Sequence, residues 1–346
     1  MATIKQIARM AGVSPTTVSN VLHGNTAKVS PATLEKVRAI LREEKYAPNM
    51  GAIILARSAS RIVGVIMFME PRSDETVLED PFVATILGAI EEEIRRAGYF
   101  MMLHTTTDED EVLRLAETWK LDGLVLFWVP DAICGIIRRS IDTPVVFVDC
   151  YFSDDGLRYH NIGLDDEAGG YEMARHLLSM GHGRIAFLAN GPDFPCPDRA
   201  RFAGCARAFR ERGLALGDDA FMPLPKDRGR RLAIYERLGA APRPCSALFF
   251  SSDYHAAEAM SHLQDLGLEI PRELSIAGFD DDILSRVVRP RLTTVHQDVL
   301  LKGRGAVAML MRLMKGEEVD PPDLRFPVRL VVRDSVAANG PRQDPD

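Results

Sequence analysis

Thr16, Thr17, Ser19, Asn20 and His23 stand within a stretch of eight residues that contains no Lys, Arg, Asp or Glu. A helix face that merely meets water usually carries long charged groups. Short hydroxyl, amide and imidazole groups act at close range instead, the range needed to touch base edges and phosphates in a major groove. A second set lies further along: Phe82, Trp128, Asp149, Asp253 and Asp280, with Arg199 and Arg201 between them. Carboxylates accept from hydroxyls, arginine donates and aromatic rings cover C–H faces, so this set suits a small polyhydroxylated ligand. The bland alternatives are a helical bundle with an idle polar face for the first set, and caps or loop residues for the second.

The first set must be held by a helix. Ser14 is a good N-cap, Pro15 stands at the first helical position where its missing N–H costs nothing, and Gly24 supplies a left-handed stop. Val18, Val21 and Leu22 form an apolar stripe. Upstream, Thr3 and Gln6 form a capping box, and Ile4, Ile7, Ala8 and Ala11 make a buried face that ends at Gly12. A third helix follows, capped by Ser30, opened by Pro31, and striped by Leu34, Val37 and Leu41. Two short helices joined at a glycine predict a helix-turn-helix in which the second helix enters the major groove.

Charge agrees with that assignment. Residues 1–60 carry eight Lys/Arg against three Asp/Glu, although the whole chain has a net charge of −7. A basic head on an acidic body concentrates phosphate affinity in the head. The next stretch, "YAPNMGAIILARSASR", can start a helix at Pro48–Asn49, but Met50–Arg57 spans only about two turns, and isolated helices under about 12 residues are marginal in water. The apolar Ile53, Ile54 and Leu55 suit a hinge helix that gains order beside its twin and pushes a side chain into a minor groove. The plainer alternative is a flexible linker.

The second set must be held by sheets. Short β-branched runs occur at 61–68, 99–103, 122–128 and 144–149, separated by helical stretches near 82–97, 109–119 and 131–140. A second series has strands at 184–189, 246–250 and 274–279, with helices near 165–180, 198–212, 228–238 and 253–266. Continuous apolar strands alternating with helices predict two parallel sheets covered on both faces. Ligands of such sheets bind past the carboxyl ends of the strands, where the second set of residues is expected.

Several classes drop out. No 18-residue apolar run and no leader pattern is present, which predicts a soluble, cytoplasmic protein without membrane contact. The five cysteines are widely spaced with no C-x-x-C, and the eight histidines show no ligand spacing, so reduced thiols and no metal are expected. No phosphate loop, dinucleotide fingerprint or nucleophile elbow is found, so neither a cofactor nor an enzymatic activity is expected. A sugar-binding protein of the periplasmic type and an enzyme on a doubly wound fold are the rival classes. The first should begin with a leader, and the second needs a poised acid, base or cofactor loop.

With these residues in view, the chain resembles the LacI/GalR family of bacterial transcriptional regulators nearly end to end. "TIKQIARMAGVSPTTVSNVLHG" resembles the family's headpiece and "YAPNMGAIILARS" its hinge. "DEAGGYEMARHLLSMGHGRIAFLANG", "IPRELSIAGFDDDILSRVVRPRLTTVHQD" and "FPVRLVVRDSVA" resemble three further stretches in family order. The resemblance implies an α/β fold: a three-helix helix-turn-helix domain (1–48), a hinge (49–60), and a periplasmic-binding-protein-like body (61–337) of two doubly wound parallel-sheet subdomains. Their expected extents are about 61–160 with 292–322, and about 161–291 with 323–337, followed by a disordered tail (338–346).

It further implies a homodimeric repressor on a pseudo-palindromic operator. Pro15, Thr16 and Asn20 then read bases, Thr17, Ser19 and His23 lie near phosphates, and Thr3, Lys5, Ser14 and Lys28 complete the expected contact set. In the hinge, Asn49, Ala52 and Leu55 carry the contact, with Leu55 as the minor-groove wedge. The family often has Arg where Asn20 stands, and asparagine favours adenine where arginine favours guanine. For the cleft, the resemblance supports Phe82, Asp149, Arg199, Asp253 and Asp280 as effector contacts, while Trp128 and Arg201 come from the bottom-up reading. The wall contributed by 216–230 is left undefined. A sugar or sugar derivative is the expected effector, and closure of the cleft is expected to alter hinge spacing. An effector that separates the hinges would be an inducer, and one that draws them together a corepressor.

Overall fold

The computed structural model describes residues 2–22, 25–46, 60–70, 75–152, 156–190 and 197–339. They belong to two compact units, Met1–Ser60 and Arg61–Asp346.

In the first unit the local signals are met one by one. Helix α1 (Ile4–Ala11) carries the Thr3/Gln6 capping box and ends at Gly12, whose φ of 70° puts it in the left-handed region. Helix α2 (Pro15–Leu22) buries Val18 and Val21, and Thr17 N–H donates to Ser14 Oγ at 3.1 Å. Helix α3 (Pro31–Glu43) begins at the Ser30 cap and buries Val37. These residues close a small core with Ile7, Ala8 and Ala11. The expected hinge at 50–57, with Asn49, Ala52 and Leu55, lies outside the described residues, as does His23.

In the second unit, strands β1 (Ile62–Phe68), β2 (Phe100–Thr106), β3 (Gly123–Phe127) and β4 (Val145–Val148) alternate with helices α4 (Pro81–Arg96), α5 (Glu109–Thr118) and α6 (Asp131–Ser140). After β5 (Asn161–Leu164) and α7 (Asp166–Ser179) the second series begins. It comprises β6 (Ile185–Ala189), α8 (Pro197–Glu211), β7 (Phe221–Pro223), α9 (Arg228–Gly239), β8 (Ala247–Phe250), α10 (Asp253–Asp265) and β9 (Ser275–Ala277). The chain closes with α11 (Ile283–Val287), β10 (Thr294–His296), α12 (Val299–Met314), β11 (Asp323–Phe326) and β12 (Arg329–Val331).

Two parallel sheets result, in the orders β11-β5-β4-β3-β1-β2 and β7-β6-β8-β9. The central strands are buried apolar runs, which is why they are readable in sequence.

The subdomain limits differ from the expected ones. Asn161–Leu164 and Asp323–Phe326 pair with each other in the first sheet, whereas the expectation gave both to the second subdomain. Residues 292–296 were expected in the first, yet β10 pairs with β12, and Thr293 and His296 form bridges to Ala277 and Asp280. The crossings between lobes therefore fall after β5, after β10 and after β11. The physical reason is that these strands are three or four residues long and part polar, so pairing with distant partners defines them. The tail expected to start at 338 is fixed at Asn339, whose N–H donates to Met180 O at 2.7 Å; residues 340–346 lie outside the described set.

Helices α7 and α8 meet with almost no side chain between them. A Cβ on Gly170 would lie 1.8 Å from Arg201 O, and one on Gly204 would lie 2.0 Å from Glu167 O. Backbone is what each would strike, so relief requires the helices to part. Gly170→Ala should lower the free energy of unfolding by at least about 3 kcal/mol, the upper range for overpacking. Urea denaturation followed by circular dichroism checks this, and a variant within about 0.5 kcal/mol of the parent would refute the close approach.

Candidate functional site

Two sites require description, one in each unit. On α2, successive side chains advance by about 100°, so Pro15, Thr16, Ser19 and Asn20 share the arc opposite the buried Val18 and Val21. Pro15 and Thr16 are exposed, and Ser19 and Asn20 are half-buried. Ser14 and Thr17 bond to each other through their hydroxyls at 2.9 Å and cap the helix. Thr3 is likewise engaged in its capping box. These three hold helices in place, and the face left for an external partner is Pro15, Thr16, Ser19 and Asn20. Lys5 and Lys28 are exposed on the same unit.

The second site is a cavity of about 150 Å³ in the body. Its walls come from segments just past the carboxyl ends of strands in both sheets. From the first come Glu70, Phe82, Trp128 and Asp149. From the second come Asn190, Arg201, Lys226, Ser251 and Asp280. This is the position that open parallel sheets offer to ligands. Trp128, Asp149 and Asp280 have φ of 55°, 54° and 122°, so three wall residues sit on left-handed backbones that surrounding structure must enforce.

Arg201 is the centre of the polar wall. Its Nε donates to Asp166 Oδ1 at 2.8 Å and its NH1 to Ser251 O at 2.6 Å. Its guanidinium lies 3.6 Å from the Phe279 ring centroid. Tyr151 donates to the other oxygen of Asp166, so one chain of bonds runs from the first sheet's loops to the second's. The neighbouring carboxylates hold Arg201 charged in spite of its burial.

Asp149 accepts from the Lys302 ammonium through both oxygens at 2.9 Å, and both groups are buried. Lys302 also lies 5.1 Å from the Phe82 ring centroid. Burial pushes the Asp198 carboxyl up, with Arg201 opposing. It pushes Asp280 well up, again against Arg201.

Of the expected contacts, Phe82, Trp128, Asp149, Arg201 and Asp280 line the cavity. Arg199 does not: it is exposed, with its guanidinium 5.8 Å from the Phe221 ring centroid. Two residues along a helix turn a side chain by about 200°, so Arg199 and Arg201 cannot face the same way. Asp253 is also absent from the wall. It is fully buried behind it, accepting from Thr294 Oγ1 at 2.6 Å and from Asp282 N–H at 3.0 Å, and so fixes the loop that carries Asp280.

The wall residues that sequence reading missed include Asp198, Gln297, His255 and Lys226. Asp198 was signalled by its place three residues before Arg201, on the same helix face. Lys302, behind the wall, was signalled as the one cation on the apolar stripe between Val299 and Ala306. The undefined 216–230 stretch contributes Leu224 and Lys226.

The mouth is clasped by ion pairs between the lobes. Lys226 pairs with Glu70. Arg231, on α9, donates to Glu75 Oε1 at 2.6 Å and to Glu258 Oε2 at 3.0 Å, with its side chain 1% exposed. Tyr235 donates to the same Glu258 oxygen at 3.0 Å. No group of residues able to hold a metal occurs among the described residues, and no described helix is long and apolar enough to cross a membrane.

A helix-turn-helix unit followed by a body with a cleft between two parallel sheets is the architecture of a DNA-binding transcriptional regulator. Comparison with known proteins gives its lineage. Residues 3–49 match the lacI family of bacterial regulatory proteins, and residues 174–336 match the periplasmic binding protein-like domain. The chain is 31% identical over 344 residues to the HTH-type transcriptional regulator GalR of Escherichia coli (strain K12), covering 97% of this chain and 96% of that protein. It is 30% identical over 343 residues to the HTH-type transcriptional repressor PurR of Vibrio vulnificus (strain CMCP6), covering 97% and 99%. Among solved structures, the lac repressor dimer bound to operator and the anti-inducer ONPF superposes with a TM-score of 0.81 at 26% identity, covering 97% and 99%. The protein belongs to the LacI/GalR family and is a helix-turn-helix transcriptional regulator rather than an enzyme.

Lys302→Met leaves Asp149 buried without its partner. Breaking a buried pair from one side costs about 3–5 kcal/mol, and a loss of that size is expected in chemical denaturation. Replacing both partners, as Asp149→Asn with Lys302→Met, should recover more than half of it. Equal instability of the single and double variants would show that the pair's charge is not what matters.

Proposed function

We propose that the protein is a homodimeric repressor of a pseudo-palindromic operator, governed by a small polyhydroxylated effector, a sugar or sugar derivative, held between the two lobes of the body. The observation that carries the effector reading is the cavity wall itself: Asp149, Asp198, Asp280 and Arg201 beside the rings of Phe82 and Trp128. Its volume holds on the order of ten water-sized positions, which suits a monosaccharide better than a longer glycan. The excess of carboxylates disfavours a strongly anionic ligand.

Support for the dimer comes from exposed apolar side chains on two elements. The edge strand β2 exposes Phe100 (62%) and Leu103, and α11 exposes Ile283 and Val287 one turn apart (52% and 56%). A solved relative is a dimer on operator. Under this reading Pro15, Thr16 and Asn20 approach base edges, Ser19, Thr17, His23, Lys5 and Lys28 lie near phosphates, and Asn49, Ala52 and Leu55 form the hinge contact in the minor groove. Closure of the cleft, clasped by Arg231 and Glu75, alters the spacing of the hinges and so links the two affinities.

The test is fluorescence anisotropy with the DNA upstream of the protein's own gene. Binding should be sequence-selective and fall steeply as salt rises, since every phosphate contact releases counterions. Asn20→Ala should cost about 1–3 kcal/mol on the preferred site, the worth of one base contact, and little on random DNA. Leu55→Ala should weaken operator binding by roughly tenfold or more, as loss of a minor-groove wedge would. Equal affinity for random and upstream DNA would remove the operator reading. A thermal-shift screen of monosaccharides and nucleosides checks the effector class, and stabilisation by nucleosides alone would overturn the sugar assignment.

A further inference from the structure

We propose that Arg231 and Glu75 form a latch across the mouth of the body's cavity, and that effector entry and release wait on the breaking of this one bond. The proposal rests on the reading of that cavity as the effector site and adds what governs access to it.

The latch joins the two segments that rim the cavity. Glu75 precedes the turn Val77–Glu79, which carries a Thr76/Glu79 capping box and leads into α4. Val77, Asp80 and Phe82 of that stretch line the cavity from the first lobe. Leu224 and Lys226 line it from the second, and the Arg231 guanidinium holds their segment by donating to Lys226 O at 2.6 Å. The 2.6 Å bond from Arg231 to Glu75 Oε1 therefore draws one rim against the other. Both halves of the bond are protein groups, so no ligand atom is needed to make it.

A latch differs from a fixed tie in what happens when it breaks, and here the arginine is held unevenly. It donates to both oxygens of Glu258 at 3.0 Å as well as to Lys226 O. Those partners belong to its own lobe, so their bonds survive a parting of the lobes. Among the described residues, the Arg231 bond that crosses is the one to Glu75. A buried ion stripped of every partner is heavily penalised. Arg231 would keep Glu258 as its counter-ion, and Glu75 would return to water. Release thus costs one charge-assisted bond and leaves no bare charge behind.

The bond is also the stronger of the two that span the mouth. The side chains of Arg231 and Glu75 are 1% and 7% exposed, whereas those of Lys226 and Glu70 are 47% and 66% exposed. Water and salt screen the second pair, which adds little.

Trp128 lines the cavity, and Trp119, the other tryptophan of the chain, is 52% exposed. In full-length protein carrying Trp119→Phe, acrylamide quenching of Trp128 fluorescence reads access to the cavity. Neither effector nor operator is needed, so the latch can fail while the regulator reading stands. Glu75→Gln keeps the shape of the side chain and removes its charge. Loss of the charge raises the population of the open form, and the Stern–Volmer constant of Trp128 should rise about threefold or more, with far-UV circular dichroism unchanged. Glu258→Gln removes a bond within the second lobe and leaves the crossing bond in place. It should lower the unfolding midpoint and leave the quenching constant near that of the parent. Should Glu75→Gln lose its fold, Glu75→Asp, which keeps the charge but draws it back by one methylene, carries the same prediction. A quenching constant unchanged by the loss of Glu75 overturns the proposal, and so does a threefold rise in Glu258→Gln but not in Glu75→Gln.

Discussion

A guanidinium that keeps its charge at any physiological pH is held where the two lobes meet, and most of the cleft is arranged around it. Arg201 reaches its position because α8 can lie directly on α7, which Gly170 and Gly204 permit by having no side chain at the contact. From there the bonds run in series: Tyr151 to Asp166, Asp166 to Arg201, Arg201 to Ser251. The first of these residues follows a strand of one sheet, and the last follows a strand of the other. Removing the arginine would leave Asp166 and Asp198 buried with too little positive charge, so the site's polarity and the lobes' registration depend on one group.

The two lobes are also held together around the cavity by charge. The polypeptide crosses between lobes at three places, and the Arg231–Glu75 and Lys226–Glu70 pairs add further links between them. Any opening of the cleft would have to separate those ions. Arg231 and Glu75 are nearly dry, so their attraction is screened far less than that of an exposed pair. The bond from Arg231 to Glu258 and its partner Tyr235 ties the clasp into the packed core of the second lobe.

How much of this was legible in the sequence depends on how local the determining forces are. The head is written in caps and glycines, each acting within four residues, and α1, α2 and α3 begin at Thr3, Ser14 and Ser30 as expected. Strands β1, β3, β6 and β8 are legible because both of their faces are buried, which makes them apolar throughout. Strands β5, β10, β11 and β12 are not, since "NIGL" or "TVH" becomes a strand only through a partner far away in the chain. β7 carries Pro223, which an edge position tolerates and which disguises it as loop. At the site, residue type was legible and orientation was not. Arg199 and Arg201 differ only in helical phase, and Asp253 differs from Asp280 in lying one layer deeper.

That difference of layer matters for how such a regulator changes its ligand without losing its fold. Asp253 accepts from Thr294 and from the Asp282 N–H, so it is part of the scaffold that sets the backbone of residues 280–282. A Cβ at Gly278 would fall 2.2 Å from Asp253 Oδ1, which leaves no slack around it. Lys302 sits at a similar depth on the opposite wall and cancels Asp149 from behind. Exchanging it for an apolar residue would release a carboxylate to the ligand, and exchanging Asp149 would release an ammonium. The charge presented to an effector is therefore set partly by residues that never touch it, on the helix α12 that also packs against α4 through Gly303. Side chains that set the cavity's charge and side chains that pack the first lobe share that helix, so a substitution that changes one also shifts the stability of the other.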